Sequence, residues 1–89
     1  MKTQVENMTS SNGNKVANQF IITDGSKRVF QSYGSVICVI EGDTVTLDRV
    51  YWDYSQTTGK YRNQFLGETK ADTQKKIDSG VYKLANLNE

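Results

Sequence analysis

The chain contains no histidine, no proline and a single cysteine, Cys38. Histidine titrates near neutrality and is the commonest metal ligand, so its absence removes a histidine general base and a histidine-built metal site. One cysteine cannot close a disulfide within the chain and cannot form a cysteine-cluster zinc site. Without proline, the turns fall to Gly, Asp and Asn. An excess of one charge is missing too: eleven Lys and Arg stand against ten Asp and Glu, a formal net of +1. That balance argues against a mimic of DNA, which needs a dense acidic face, and it gives no broad basic field for nucleic acid. The longest apolar run, residues 36–40, is far shorter than the ~20 residues that span a bilayer. Residues 1–14 have no apolar stretch of the kind a secretory signal carries, so a cytoplasmic protein without membrane contact is expected.

What remains is a small domain's worth of patterned sequence. A chain of 89 residues forms one domain and buries only roughly 60–65 % of its unfolded surface, so its core must be small. Residues 1–14 are rich in Asn, Ser, Thr and Gly and read as a flexible tail, leaving 15–88 as a single α+β domain. Val16, Ala17, Phe20, Ile21 and Ile22 form a β-branched and aromatic run that stops at Asp24-Gly25, a strong hairpin signal. Val29 and Phe30 begin a second strand, in which Gly34 marks a bulge or a break. The continuous apolar run 36–40 predicts a central strand covered on both faces. After a turn at Glu41-Gly42-Asp43, residues 44–48 alternate, with Thr44, Thr46 and Asp48 outward and Val45 and Leu47 inward.

The stretch 52–67 holds the only Trp and the clearest helix signals. Ser55 is a good N-cap, because its hydroxyl can accept from an orphan amide of the first turn. Tyr54, Thr58, Tyr61 and Phe65 fall at i, i+4, i+7 and i+11, which is one helical face, and Leu66 broadens it. Gly67 stands where a left-handed C-terminal cap is wanted. Gly59 costs ~1 kcal/mol relative to alanine, which packing of the rings must offset. Thr69 with Asp72 makes a second cap, and a polar helix follows over 70–79 with only Ala71 and Ile77 apolar. Residues 81–84 read as a short closing strand. The predicted fold is therefore α+β: a small antiparallel β-meander of three to five strands packed against one amphipathic helix, with a second short polar helix.

Phe30-Gln31-Ser32-Tyr33, Leu47, the motif Trp52-Asp53-Tyr54-Ser55-x-Thr57-Thr58-x-Lys60-Tyr61-x-x-x-Phe65-Leu66-Gly67, and then Ile77, Ser79-Gly80, Tyr82, Leu84 and Leu87-Asn88 resemble a family of small bacteriophage accessory proteins. The resemblance runs from about Asn14 to Asn88, and the Trp-to-Gly motif is its specific part. It implies a protein made in the cytoplasm of an infected bacterium, with no catalytic residues to carry over. By analogy with other small phage proteins, it implies a partner among host or anti-phage-defence proteins.

Four constellations bear on function. Ser55, Thr57, Thr58, Lys60 and Arg62 place hydroxyls and cations at a helix start, where free amides favour an anion or a nucleotide. The P-loop spacing is absent, and the plain alternative is an N-cap beside a solvated helix face. Tyr33, Tyr51, Trp52, Tyr54 and Tyr61 concentrate aromatic surface. Tyr33, Tyr51 and Tyr54 are the candidates for partner binding. With Lys27, Arg28 and Arg49 the rings could instead stack bases and hold phosphates, or they could simply be core. Asp43, Asp48 and Asp53 read as turn, solvent-facing and capping residues rather than a hydrolase's carboxylate pair. Cys38 without any His reads as a buried small hydrophobe. A non-catalytic binder of a host or defence protein is thus the leading expectation. A small-ligand or nucleotide sequestering protein comes second, and a weak nucleic-acid binder third. No cofactor and no metal are expected, and a bare sheet edge offers a route to a homodimer.

Overall fold

The computed structural model describes residues 3–88 and builds one six-stranded sheet in sequence order. The strands are β1 (Thr3–Thr9), β2 (Lys15–Asp24), β3 (Lys27–Ser32), β4 (Ser35–Glu41), β5 (Thr44–Asp48) and β6 (Tyr82–Ala85). Helices α1 (Gln56–Leu66) and α2 (Lys70–Asp78) lie between β5 and β6. β2 to β5 form the expected antiparallel meander, and β1 extends it beyond β2. β6 departs from it by joining β5 in parallel, because the two helices return the chain to the end of the sheet from which β5 began.

The expectation of three to five strands is an undercount, and the extra strand comes from the segment read as a tail. Residues 3–9 pair with β2 from Thr3↔Asp24 to Thr9↔Lys15. Met1 and Lys2 lie outside the described residues. Composition hid β1 because its stability is borrowed from its neighbours. Met8 is buried in the core. The Asn7 side chain donates to the Val16 carbonyl over 2.8 Å, bridging the irregular register between Asn7 and Thr9. Gln64 of α1 donates to the Thr9 carbonyl. Strand propensity is a statement about fitting a pleated, half-buried surface, and context overrides it here.

The run 36–40 needs a second correction. Phe30 faces Cys38 and Gln31 faces Val36, so Ile37 has no partner on β3. This β-bulge adds one residue to β4 and brings two consecutive side chains to the same side. Ile37 and Cys38 are both buried in the helix-side core, while Val36 and Val39 are only half-buried. The bulge accounts for Ile37 and Cys38 facing the core together, and Val36 and Val39 stand on the side of the sheet that no helix covers.

The core lies between the sheet and the helices. Phe30, Ile37, Cys38 and Leu47 meet Tyr61 and Phe65 of α1, and Tyr82 closes one side. Phe30 stacks on Phe65 with ring centroids 5.7 Å apart. α1 is capped as its sequence demands: Ser55 Oγ accepts from the Thr58 amide, and Gly67 ends the helix at φ 71°. α2 shows the full capping box of Thr69 and Asp72.

Two carboxylates tie the remaining chain together. Asp48 was expected to face solvent, but it is buried and accepts from the amides of Val50, Tyr51 and Leu87. Burial pushes its carboxyl up, but these bonds outweigh that and hold it below its ordinary value. Glu68, at the start of the α1–α2 connection, accepts from Thr73, Lys76 and Tyr82 at 2.6, 2.7 and 2.8 Å. The Asn88 side chain bonds both the amide and the carbonyl of Val36. It thereby completes β4 where the pairing with β5 has ended.

Candidate functional site

Two turns and a helix start border a cleft. The first turn is the two-residue loop between β3 and β4, where Tyr33 has φ 52° and Gly34 φ 82°. Positive φ at both positions is the type I′ geometry that suits the twist of a hairpin, and Asn-Gly is its usual sequence. A tyrosine there is strained, and the residue is 60 % exposed. The second turn follows β5. Asp48 holds the amides of Val50 and Tyr51, and the Tyr54 amide donates to the Tyr51 carbonyl over 3.2 Å. The Tyr51 and Tyr54 rings consequently meet edge to face, 5.3 Å apart. Tyr54 is 69 % exposed. It precedes the helix, so the helical spacing that placed it on the buried face does not apply to it.

Between these turns lies a cleft of about 590 Å³. Tyr33, Tyr51 and Tyr54 wall it, the buried Ile37, Ser32 and Thr58 lie beneath its floor, and Ser35, Ser55 and Thr57 supply accessible hydroxyls. The Ser32 and Thr58 hydroxyls share a hydrogen bond of 3.0 Å that ties β3 to the first turn of α1. None of the lining residues carries a formal charge, although 24 % of the chain is Asp, Glu, Lys or Arg. The surface can stack rings and exchange hydrogen bonds, and it has no fixed charge to select an ion.

The sequence profile of a family of unknown function, DUF8033, matches residues 3–80. The chain belongs to this family. No curated protein and no solved structure matches the chain.

In this DUF8033 member the five residues of the expected anion site are divided between two hollows. Ser55, Thr57 and Thr58 line the tyrosine cleft. Lys60 and Arg62 line a second, more open hollow with Asp53, Asn63 and Lys70, and Ser55 borders both. Arg62 is not a free cation: it is 1 % exposed. Its guanidinium donates to the Trp52 carbonyl over 2.6 Å and to the Asn63 side chain over 2.9 Å, and it meets Asp53 at 3.5 Å. Lys70 pairs with the other oxygen of Asp53 at 2.7 Å. The Lys60 ammonium sits 5.5 Å from the Tyr61 ring centre.

The aromatic set also divides. Tyr61 is core and Trp52 is half-buried beneath Arg62, while Tyr33, Tyr51 and Tyr54 converge on the cleft. Lys27, Arg28 and Arg49 do not line it, and Arg28 lies over the Phe65 ring instead. Cys38 is fully buried, and desolvation, with Glu68 adding to it and Arg62 opposing, pushes its thiol up to about 12. Among the described residues no group of three or more Cys, Asp and Glu gathers in a way that could hold a metal ion, and no helix is long and apolar enough to cross a membrane. Sequence reading missed Ser32, Ser35 and Ile37 as cleft residues. Tyr33-Gly34 was the available signal, since a two-residue loop before an apolar run marks a hairpin whose flanking residues face one another.

Proposed function

We propose that this protein is a non-catalytic binding protein and that the Tyr33–Tyr51–Tyr54 cleft seats a segment of a partner polypeptide. Following the resemblance to phage accessory proteins, the partner is a host or anti-phage-defence protein that the chain inhibits or redirects, in the cytoplasm of the infected bacterium. The observation that carries this reading is the convergence of three tyrosines, two of them largely exposed, on a cleft with no charged lining residue. Tyrosine offers large, rigid, amphipathic contact area at low entropic cost and is enriched among the residues that dominate protein interfaces. Exposed rings also cost the free protein apolar hydration that a partner would relieve.

The test is affinity capture from the bacterial host with the wild type and a Tyr33→Ala/Tyr54→Ala double variant side by side. A specific partner should be retained by the wild type and lost by the variant, since hot-spot truncations cost about 2 kcal/mol or more each. Equal retention by both proteins would overturn the assignment of the cleft.

A second reading, sequestration of a nucleotide or other small ligand, is favoured by Ser55, Thr57 and Thr58 opening the helix start onto the same cleft. With Lys60 and Arg62 on the other flank, such a ligand would be held by ring stacking and hydroxyls rather than by ion pairing. Saturating ligand raises the unfolding free energy by about 2.7 kcal/mol at a hundredfold excess over Kd, so a thermal-shift panel of nucleosides and nucleotides separates the two readings. Nucleic-acid binding, the third reading, would have to show the steep salt dependence of phosphate contacts.

A further inference from the structure

The face of the sheet turned away from the helices is apolar along its middle. Ladder register aligns Val5, Ile22, Val29, Val39, Thr46 and Lys83 in one row across all six strands. Phe20 and Val36 stand beside that row through their common partner Gln31. None of these apolar residues belongs to the core cluster or to the side chains packed against it. Val5 is 65 % exposed, and the others are half-buried by one another rather than by a helix.

We infer that this face is covered by a second copy of the chain, with the two sheets stacked about a two-fold axis that runs along the strands between β3 and β4. Size supports it. Six strands at ~4.8 Å spacing and about six residues at ~3.3 Å give a face roughly 24 by 20 Å in projection, and pleated side chains raise the accessible area above that. That projection of about 480 Å², enlarged by the relief of the side chains, approaches the ~800 Å² per partner that stable interfaces bury. Charge supports it independently. Lys27 and Glu41 stand one step along from Val29 and Val39 on the same face and are register partners. Neither makes an ion pair within the described residues. The proposed axis exchanges β3 with β4, so Lys27 of each copy meets Glu41 of the other, while Val29 meets Val39 at the centre. A two-fold interface must be self-complementary in this way. The tyrosine cleft lies on the helix side and stays open in such a dimer.

Sedimentation equilibrium on the full chain tests the inference. The wild type should approach twice its 10.0 kDa mass at micromolar concentration. Val39→Glu places like charges beside the axis and should weaken dimerisation at least a hundredfold, with circular dichroism showing that the strands persist. Lys27→Glu should weaken it about tenfold, and adding Glu41→Lys should restore it. That rescue keeps the test decisive if Val39→Glu fails to fold. A wild type that stays monomeric at several hundred micromolar overturns the inference. So does a dimer that ignores both the central charge and the charge swap, which would point to pairing along the exposed edge of β1. Capture through Tyr33 and Tyr54 reads the other side of the molecule, so the two tests can fail separately.

Discussion

The Arg62 guanidinium donates to the carbonyl of Trp52 over 2.6 Å and lies 5.2 Å from the centre of the same residue's ring. One side chain thus fixes both the backbone and the ring of the turn that leads into α1. A second donor engages Asn63, and Asp53 offsets the charge. Lysine cannot reproduce this fork. Arg62→Lys should destabilise the fold by about 2 kcal/mol, a figure set by losing a charge-assisted bond at a buried site. For a domain of this size each kcal/mol moves Tm by about 4–8 °C. A ligand-holding arginine would leave the free protein's Tm unchanged, so calorimetry of the variant distinguishes a structural pin from half of an anion site.

Tyr33 makes the opposite trade. Its φ of 52° is conformational strain of about 1 kcal/mol for a residue with a bulky side chain, and asparagine tolerates that region far better. Tyr33→Asn should therefore raise Tm by several degrees while it weakens capture of the partner. Measuring both on one variant checks the idea. If stability does not rise, the turn is not strained; if capture does not fall, the ring is not part of the recognition surface.

The two helices, their caps and most of the meander were legible because each is written locally. Ser55 and Gly67 bracket α1, Thr69 and Asp72 open α2, and Asp24-Gly25 turns the chain. What was not legible depends on contacts far apart in sequence. β1 is polar in text, and only burial of Met8 and pairing with β2 reveal it. Asp48 looks like an outward strand residue until the returning amide of Leu87 meets it 39 positions later. Arg62 looks like a solvated cation until Trp52 closes over it. The candidate site was half readable: the tyrosines and the helix start were named, but as two separate sites. That they share one cleft follows from a hairpin turn bringing Tyr33 to the start of α1.

Cys38 provides an internal clock for unfolding. Its thiol is fully buried and pushed up to about 12, whereas the thiolate is the reactive form. At pH 8 the folded protein should resist a thiol reagent over hours, and denaturant should release one equivalent at once. Labelling of the native protein at the rate of a free thiol would show that α1 opens locally from the sheet, a cost set by local stability rather than by chemistry.

Acid should unfold the protein in a defined window. Burial pushes the Glu68 carboxyl up, but bonds from Lys76, Thr73 and Tyr82 outweigh it and leave it below its ordinary 4.5. Asp48 is likewise held below 3.8, where burial is outweighed by amides of Leu87, Tyr51 and Val50. A depressed folded-state pKa contributes stability that is fully present above the unfolded value and is lost as pH falls through the folded one. Tm should accordingly be flat from pH 7 to about 5, begin to fall near 4.5 as Glu68 is engaged, and steepen below 3.8 as Asp48 joins it. Glu68→Gln should lower Tm at pH 7, at a cost of about 1–3 kcal/mol for a carboxylate that ties α2 to β6. It should also remove the part of the acid slope that begins first. Asp48→Asn should remove the later part, because an amide does not titrate there, and should also lower Tm at pH 7, because it presents a donor to at least one of three amides that need an acceptor. An acid transition identical in the wild type and both variants would mean that other carboxylates govern it and that these two hubs do not hold the helices and the last strand to the sheet.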